Sequence, residues 1–268
     1  LLSHQDPATG AQLTNGRSDP KIIGFDATFC APKSVSLLFA LGAPEASNEV
    51  RNAHDVAVTE SLAVYEQVAR GRRDRAGARL VEGEGFAAAA FRHRTSRAAD
   101  PQLHTHVVVA NLVHASQDGR WSALDARPLY QWARAIGHLY EAQLRHELTR
   151  RLGVAWGPVQ RGIADIDGIG AKVLEAFSTR RAEIEAHLAE RGEAGAKAAQ
   201  AAAYATRRAK DKTLDAGDLL GAWRERATAL GLDDQALAAV LGRQRSIEPP
   251  APDSAEADAL YRRLAGAE

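Results

Sequence analysis

Phe91-Arg92-His93, followed by Leu103-His104-Thr105-His106-Val107-Val108-Val109-Ala110-Asn111, is the stretch whose reading decides the fold. The valine run after the histidine pair is β-branched and reads as a strand. Side chains on a strand alternate between its faces, so His104 and His106 share one face. His93 closes an apolar run, Gly85-Phe86-Ala87-Ala88-Ala89-Ala90-Phe91, that also reads as a strand. Between the two lies Thr95-Ser96-Arg97-Ala98-Ala99-Asp100-Pro101-Gln102, a loop composition that lets the strands pair antiparallel. That pairing brings His93 beside His104 and His106. Neutral imidazole is the commonest metal ligand, and three of them leave coordination positions open for water or substrate, the layout of a catalytic metal site rather than a structural one. An isolated HxH pair on a strand is a weak signal; the third histidine, within reach of the loop, strengthens it.

Upstream, Ile22-Ile23-Gly24-Phe25-Asp26-Ala27-Thr28-Phe29-Cys30 reads as another strand, with Phe25, Ala27 and Phe29 on one face and Asp26, Thr28 and Cys30 on the other. A carboxylate on a central strand requires a partner, whereas one on an edge strand can simply face water. Pro32 opens a helix over 33–41 that Gly42 stops, and Ser47 or Asn48 caps a second helix to about Arg70, with Val50, Ala53, Ala57, Ser61, Val64 and Val68 as its stripe. Downstream, Ser116-Gln117-Asp118-Gly119 is a turn signal, and 120–124 returns as a strand, making a meander beside the histidines. Residues 127–152 are strongly helical, with Trp132, Ile136, Tyr140, Leu144, Leu148 and Leu152 recurring every four and Gly153 as the stop. Short strands at 154–156 and 162–166 then lead to helices near 171–191, 195–210, 215–230, 233–241 and 254–264. Asn15-Gly16 signals a hairpin turn.

Strands mixed with a few helices, then mostly helices, imply an α+β fold: an antiparallel sheet with helices on one face, carrying a C-terminal helical extension. The corresponding division is a metal-site core over residues 1–155 and a mainly helical extension over 156–268. The 268 residues suffice for a substantial core, and no run of apolar residues is long enough for a membrane span, which points to the cytoplasm and no membrane insertion. One cysteine, Cys30, excludes an intramolecular disulfide. Lysine plus arginine equals aspartate plus glutamate at 34 each, so no global field attracts nucleic acid and any such site must come from local arginines. The arginines do cluster, at Arg70, Arg72, Arg73, Arg75 and Arg79 and at Arg92, Arg94 and Arg97. Beginning with Leu1-Leu2 and lacking methionine, the chain reads as a fragment.

Taken together, Gly24-Phe25-Asp26-Ala27-Thr28-Phe29-Cys30-Ala31-Pro32-Lys33-Ser34-Val35-Ser36 and the His93, His104-Thr105-His106 set resemble the relaxase domain of MobF-type conjugative relaxases, in the HUH endonuclease class. The similarity continues through Asp118-Gly119-Arg120-Trp121, Arg127-Pro128-Leu129-Tyr130, Leu148-Thr149-Arg150-Arg151-Leu152-Gly153 and the segment beginning Phe177-Ser178-Thr179-Arg180. The resemblance implies an antiparallel sheet backed by helices, a metal site on its open face, and a helical part that folds over single-stranded DNA. It implies nicking and rejoining of one strand at a plasmid transfer origin: a tyrosine hydroxyl attacks a phosphodiester, giving a 5′-phosphotyrosyl link and a free 3′-hydroxyl. Other relaxosome proteins and a coupling protein are the further partners it implies.

On this reading His93, His104 and His106 hold one divalent ion, and imidazole ligands leave magnesium, manganese and zinc open. Asp26 acts from behind a ligand, either fixing a histidine tautomer or drawing a proton from the nucleophile. Lys33 and Arg97, at a strand end and in the adjoining loop, are the expected phosphate contacts; Arg92 and Arg94 alternate with His93 and face away. The nucleophile is where the pattern departs. The family's catalytic tyrosines lie near the extreme N-terminus, and no tyrosine here precedes Tyr65. Tyr65, Tyr130, Tyr140, Tyr204 and Tyr261 fall on helices, where core packing is expected, so the chain is expected to bind metal and DNA without cleaving. A non-catalytic single-stranded DNA-binding module is the alternative; an unrelated three-histidine hydrolase of small substrates is a remoter one.

Overall fold

The computed structural model describes residues 4–6, 8–13, 22–73, 79–207 and 216–244. Among them the order is β1 (Gly24–Cys30), α1 (Lys33–Leu41), α2 (Pro44–Gln67), β2 (Arg70–Arg73), β3 (Arg79–Thr95), β4 (Pro101–Ala115), β5 (Trp121–Leu124) and α3 (Ala126–Leu152). Five shorter helices follow: α4 (Ala171–Ala176), α5 (Thr179–Arg191), α6 (Ala196–Ala205), α7 (Ala216–Ala229) and α8 (Asp234–Ala239). The strands form one antiparallel sheet in the order β1-β4-β3-β2-β5, and β5 also reaches back to β4. This is the α+β architecture that the sequence implies.

β4 organises the sheet because both of its edges are paired, to β1 from Gly24↔Ala110 to Cys30↔His104 and to β3 from Gly83↔Ala115 to Thr95↔Pro101. Leu103, Thr105, Val107 and Val109 are buried, whereas His104, His106 and Val108 are only half-buried. The buried set meets α1, α2 and α3, whose Val35, Leu38, Ala53, Ala57, Tyr140 and Leu144 join it in one hydrophobic cluster. Phe29 packs on Tyr140 of α3 with ring centroids 5.4 Å apart. The same cluster takes in Val154, Ile166, Val173, Phe177 and Trp223, so apolar packing is continuous from the sheet into the later helices.

At its other end the sheet curls. β3 shifts register between Gly83 and Phe86 and again between Phe86 and Ala88, with Gly85 at φ 102°. Such a bulge bends a strand, and the positive φ suits glycine. The bend carries β3 from β4 onto β2, and a Cβ at Gly83 would collide with the Val113 side chain.

Several local expectations change. α2 begins at Pro44 rather than at Ser47 or Asn48, because proline at the first helical position is already set for the helix. Its buried stripe includes His54 and Tyr65, whereas Val64 and Val68 lie only partly buried. A strict four-residue repeat drifts around a 3.6-residue helix, so Trp132, at the start of the α3 stripe, ends 46% exposed. The basic stretch after α2 enters β2. The helix expected over 171–191 breaks into α4 and α5 at Phe177-Ser178, where buried Asp100 accepts from the Thr179 N–H (2.8 Å) and Oγ1 (3.2 Å). Residues 154–166 form only isolated bridges, Trp156↔Ile166 and Gln160↔Ile163. The β5 meander is not beside the histidines: it pairs with Val113 and His114, at the opposite end of β4. Asn15-Gly16 and the helix expected over 254–264 lie outside the described residues. No described helix is long and apolar enough to cross a membrane.

Candidate metal centre

The registers of β1, β4 and β3 place side chains in rows across the open face. One row is Cys30, His104 and His93; the next is Thr28, His106 and Phe91; the third is Asp26, Val108 and Ala89. Residues directly opposite on an antiparallel pair point to the same side, so the three histidines converge as the spacing implies. Their ring centroids form a near-equilateral triangle, 5.1 Å for His93–His104 and 5.2 Å for each of the other two pairs. One ring nitrogen from each lies within 4.8 Å of the other two.

Two of the rings are held by their far nitrogen. His106 Nδ1 lies 2.8 and 3.0 Å from the two carboxylate oxygens of Asp26 and 3.1 Å from Thr28 Oγ1. An ionised carboxylate can only accept, so Nδ1 carries the proton and Nε2 keeps its lone pair. His104 does the same through the backbone, its Nδ1 donating to the Gln102 carbonyl at 2.9 Å. Burial holds the His104 imidazole below its ordinary range, with the neighbouring His106 and His93 adding to the effect against that carbonyl. Neutral imidazoles with a donor on the far side and a lone pair on the near side suit a divalent ion, and the donor set fits the metal the sequence implies. β1 is an edge strand and Asp26 is half exposed, yet it faces His106 rather than only water.

Other residues singled out in the sequence fall elsewhere. Arg92 turns away from the triad and pairs with Asp55 of α2 at 2.6 Å, as its alternation requires. Lys33, at the start of α1, donates to the Pro101 carbonyl at 2.7 Å, and burial pushes its ammonium down to about 8 against the pull of Asp100. Arg97 is exposed, in the loop between the two histidine strands. Tyr65 and Tyr140 are buried, but Tyr130 and Tyr204 are 73% and 69% exposed, against the expectation of core packing. Tyr130 lies near the start of α3, edge-on to Phe25 on the helix-side face of β1. Tyr204 carries Arg207 over its ring at 6.0 Å.

The sequence did not single out His54. It lies fully buried beneath the triad, bonding Tyr140 Oη through Nδ1 (2.8 Å) and Thr105 Oγ1 through Nε2 (2.7 Å). Thr105 is the residue between His104 and His106, so α2, α3 and β4 meet at this group. A histidine on an otherwise apolar helical face was the available signal. Gln102, whose contribution is a backbone carbonyl, left none.

With this geometry, comparison with known proteins is specific. A family model described as TrwC relaxase matches residues 1–230. The multifunctional conjugation protein TraI of Escherichia coli is 31% identical over 247 residues, covering 88% of this chain but 13% of that protein. The chain therefore spans about an eighth of the length of that relative. Among solved structures, the conjugative relaxase TrwC in complex with oriT DNA, metal-free, is 34% identical with a TM-score of 0.76, covering 87% of this chain and 83% of that one. Its metal-bound counterpart is 33% identical with a TM-score of 0.77, covering 87% and 81%.

Proposed function

Because the chain belongs to the TrwC relaxase family and has a MobF-type relaxase fold, we propose that it serves the nicking and rejoining of one DNA strand at a plasmid transfer origin, with His93, His104 and His106 holding one divalent ion. The observation that carries this reading is the convergence of three imidazoles on an open sheet face, two of them with the far nitrogen already bonded. The related TrwC structures contain oriT DNA, and some of them a metal, which supports DNA and a cation as the ligands here.

An ion held by His93, His104 and His106 would supply positive charge to offset the charge that develops on the scissile phosphodiester. This chain's own residues orient and bind. Asp26 fixes the His106 tautomer, and of the two roles open to it this is the one the 2.8 Å contact supports. Arg97 reaches a flanking phosphate, and Lys33, whose ammonium has further protons to donate beyond the one given to Pro101, is a weaker second contact. The helices after residue 156 close over the strand. The nucleophile in the family's reaction is a tyrosine; Tyr65, Tyr130 and Tyr140 sit on helices packed against the opposite face of the sheet, so none of these three is offered as the group that forms a phosphotyrosyl link. Relaxosome proteins and a coupling protein remain the expected wider partners.

The test is a thermal melt with manganese and with chelator, beside a His104→Ala/His106→Ala variant. At a hundred times its dissociation constant, a ligand of the folded state adds about 2.7 kcal/mol. Metal should raise the parent's melting temperature and leave the variant's unchanged; no response in either protein ends the metal-site reading. The burial of Tyr65 and Tyr140 keeps a second reading in play, a DNA-binding module without chemistry. Single-stranded DNA affinity indifferent both to chelator and to His106→Ala favours that one.

A further inference from the structure

Phe91 is placed where no core contact explains it. Its row partner across the β3–β4 ladder is His106, and His93 follows two residues later on the same face. His106, His104 and His93 thus occupy three corners of a square on the open face, and Phe91 is the fourth. The side chain is 53% exposed and lies outside the hydrophobic cluster and its partly buried fringe, although the other phenylalanines, Phe25, Phe29, Phe39, Phe86 and Phe177, all belong to one or the other. A phenyl ring left half in water forfeits part of the transfer free energy that burial would return. Its same-face neighbour along β3 is Ala89, whose methyl leaves the adjacent surface low and flat. An aromatic ring standing free at the border of a phosphate-binding centre has the form of a base-stacking platform, because every nucleobase offers a π-face and stacking tolerates any sequence.

We propose that Phe91 stacks on the base of a nucleotide adjoining the phosphate held at the three histidines. This rests on the DNA reading above and deepens it by naming the group that fixes the strand's path across the metal centre. The histidines, with an ion bound, would take the backbone, whose charge is the same at every nucleotide, whereas the ring takes a base and so holds the strand's course beside that phosphate. Phosphate contacts give affinity that falls with salt; a stacked base adds affinity that does not.

These two contributions separate experimentally. Fluorescence anisotropy with manganese present would compare oligo(dT) with an abasic oligonucleotide of equal length, for the parent, Phe91→Ala, Phe91→Leu and Phe91→Trp. The parent should prefer the base-bearing strand. Phe91→Ala and Phe91→Leu should lose roughly tenfold on oligo(dT), with the salt slope and the abasic affinity unchanged, and Phe91→Trp should retain the preference. Manganese affinity, followed by calorimetry without DNA, should be the same in all four. If Phe91→Ala binds oligo(dT) as the parent does while binding still needs manganese, the platform is refuted and the DNA reading survives. If its manganese affinity falls instead, Phe91 belongs to the packing around the ion and the proposal fails. If no variant or parent binds either strand, both readings fall together.

Discussion

The carboxylate of Asp26 is worth more to His106 than to the fold. It is half exposed, so its removal costs little packing, but it accepts the Nδ1 proton that leaves Nε2 free for a ligand. Asp26→Ala should weaken manganese binding by roughly 10- to 100-fold in calorimetry. Its melting temperature in chelator should stay within a degree or two of the parent's; an unchanged affinity would mean that Thr28 Oγ1, 3.1 Å away, orients the ring unaided. Arg97 makes a different kind of contribution. If it meets a phosphate, Arg97→Ala should reduce the slope of log affinity against log salt by about 0.7 for single-stranded DNA. A lower affinity with the same slope would assign it to the loop instead.

At the scale of elements, His54 is the joint of α2, α3 and β4. Burial pushes its imidazole down to about 4, far below the ordinary value of 6.5, because no carboxylate bonds the ring and both of its partners are hydroxyls. The unfolded chain therefore takes up a proton at a pH where the folded one does not. Stability from this group is fully present above 6.5 and is lost as pH falls toward 4, by about 3 kcal/mol in all. Urea unfolding at pH 7 and at pH 4.5 would show it as a steeper loss in the parent than in His54→Gln, which cannot titrate. Equal losses would mean that another group controls the acid limb.

For the whole molecule, the turn between the histidine strands is also the anchor of the later helices. Asp100, nearly inaccessible, accepts from Thr179 at the start of α5 and from Arg226 of α7 at 3.5 Å. Trp223 of α7 donates to the Ala99 carbonyl at 2.9 Å, and the Arg226 guanidinium lies over the Phe177 ring. Any motion of α5 and α7 against the sheet therefore pulls on the loop that carries Arg97 and runs into β4 at Pro101, three residues before His104. Asp100→Ala takes the acceptor from the part-buried Thr179 N–H and hydroxyl, which should cost about 2 kcal/mol. Proteolysis should then open residues 179–207 before the sheet. Cleavage at the parent's rate and sites would show that apolar packing alone holds these helices.

How far the sequence reached follows from the range of each interaction. Alternation along the β-branched run after His106 put two imidazoles on one face, and the loop composition of 95–102 allowed the hairpin that adds His93, because both features are local to a strand and its turn. The same local logic placed Gly153 as the stop of α3, where it adopts the left-handed conformation. Tertiary structure decided what depends on residues distant in the chain. It paired Asp26 with His106 across 80 positions, seated His54 under Thr105, turned Trp132, Tyr130 and Phe91 outward, and moved the β5 meander to the far end of β4. Composition and periodicity say which side chains belong together on an element. Which elements meet is set by how the sheet curls and where the helices bury their stripes, and that requires the folded chain.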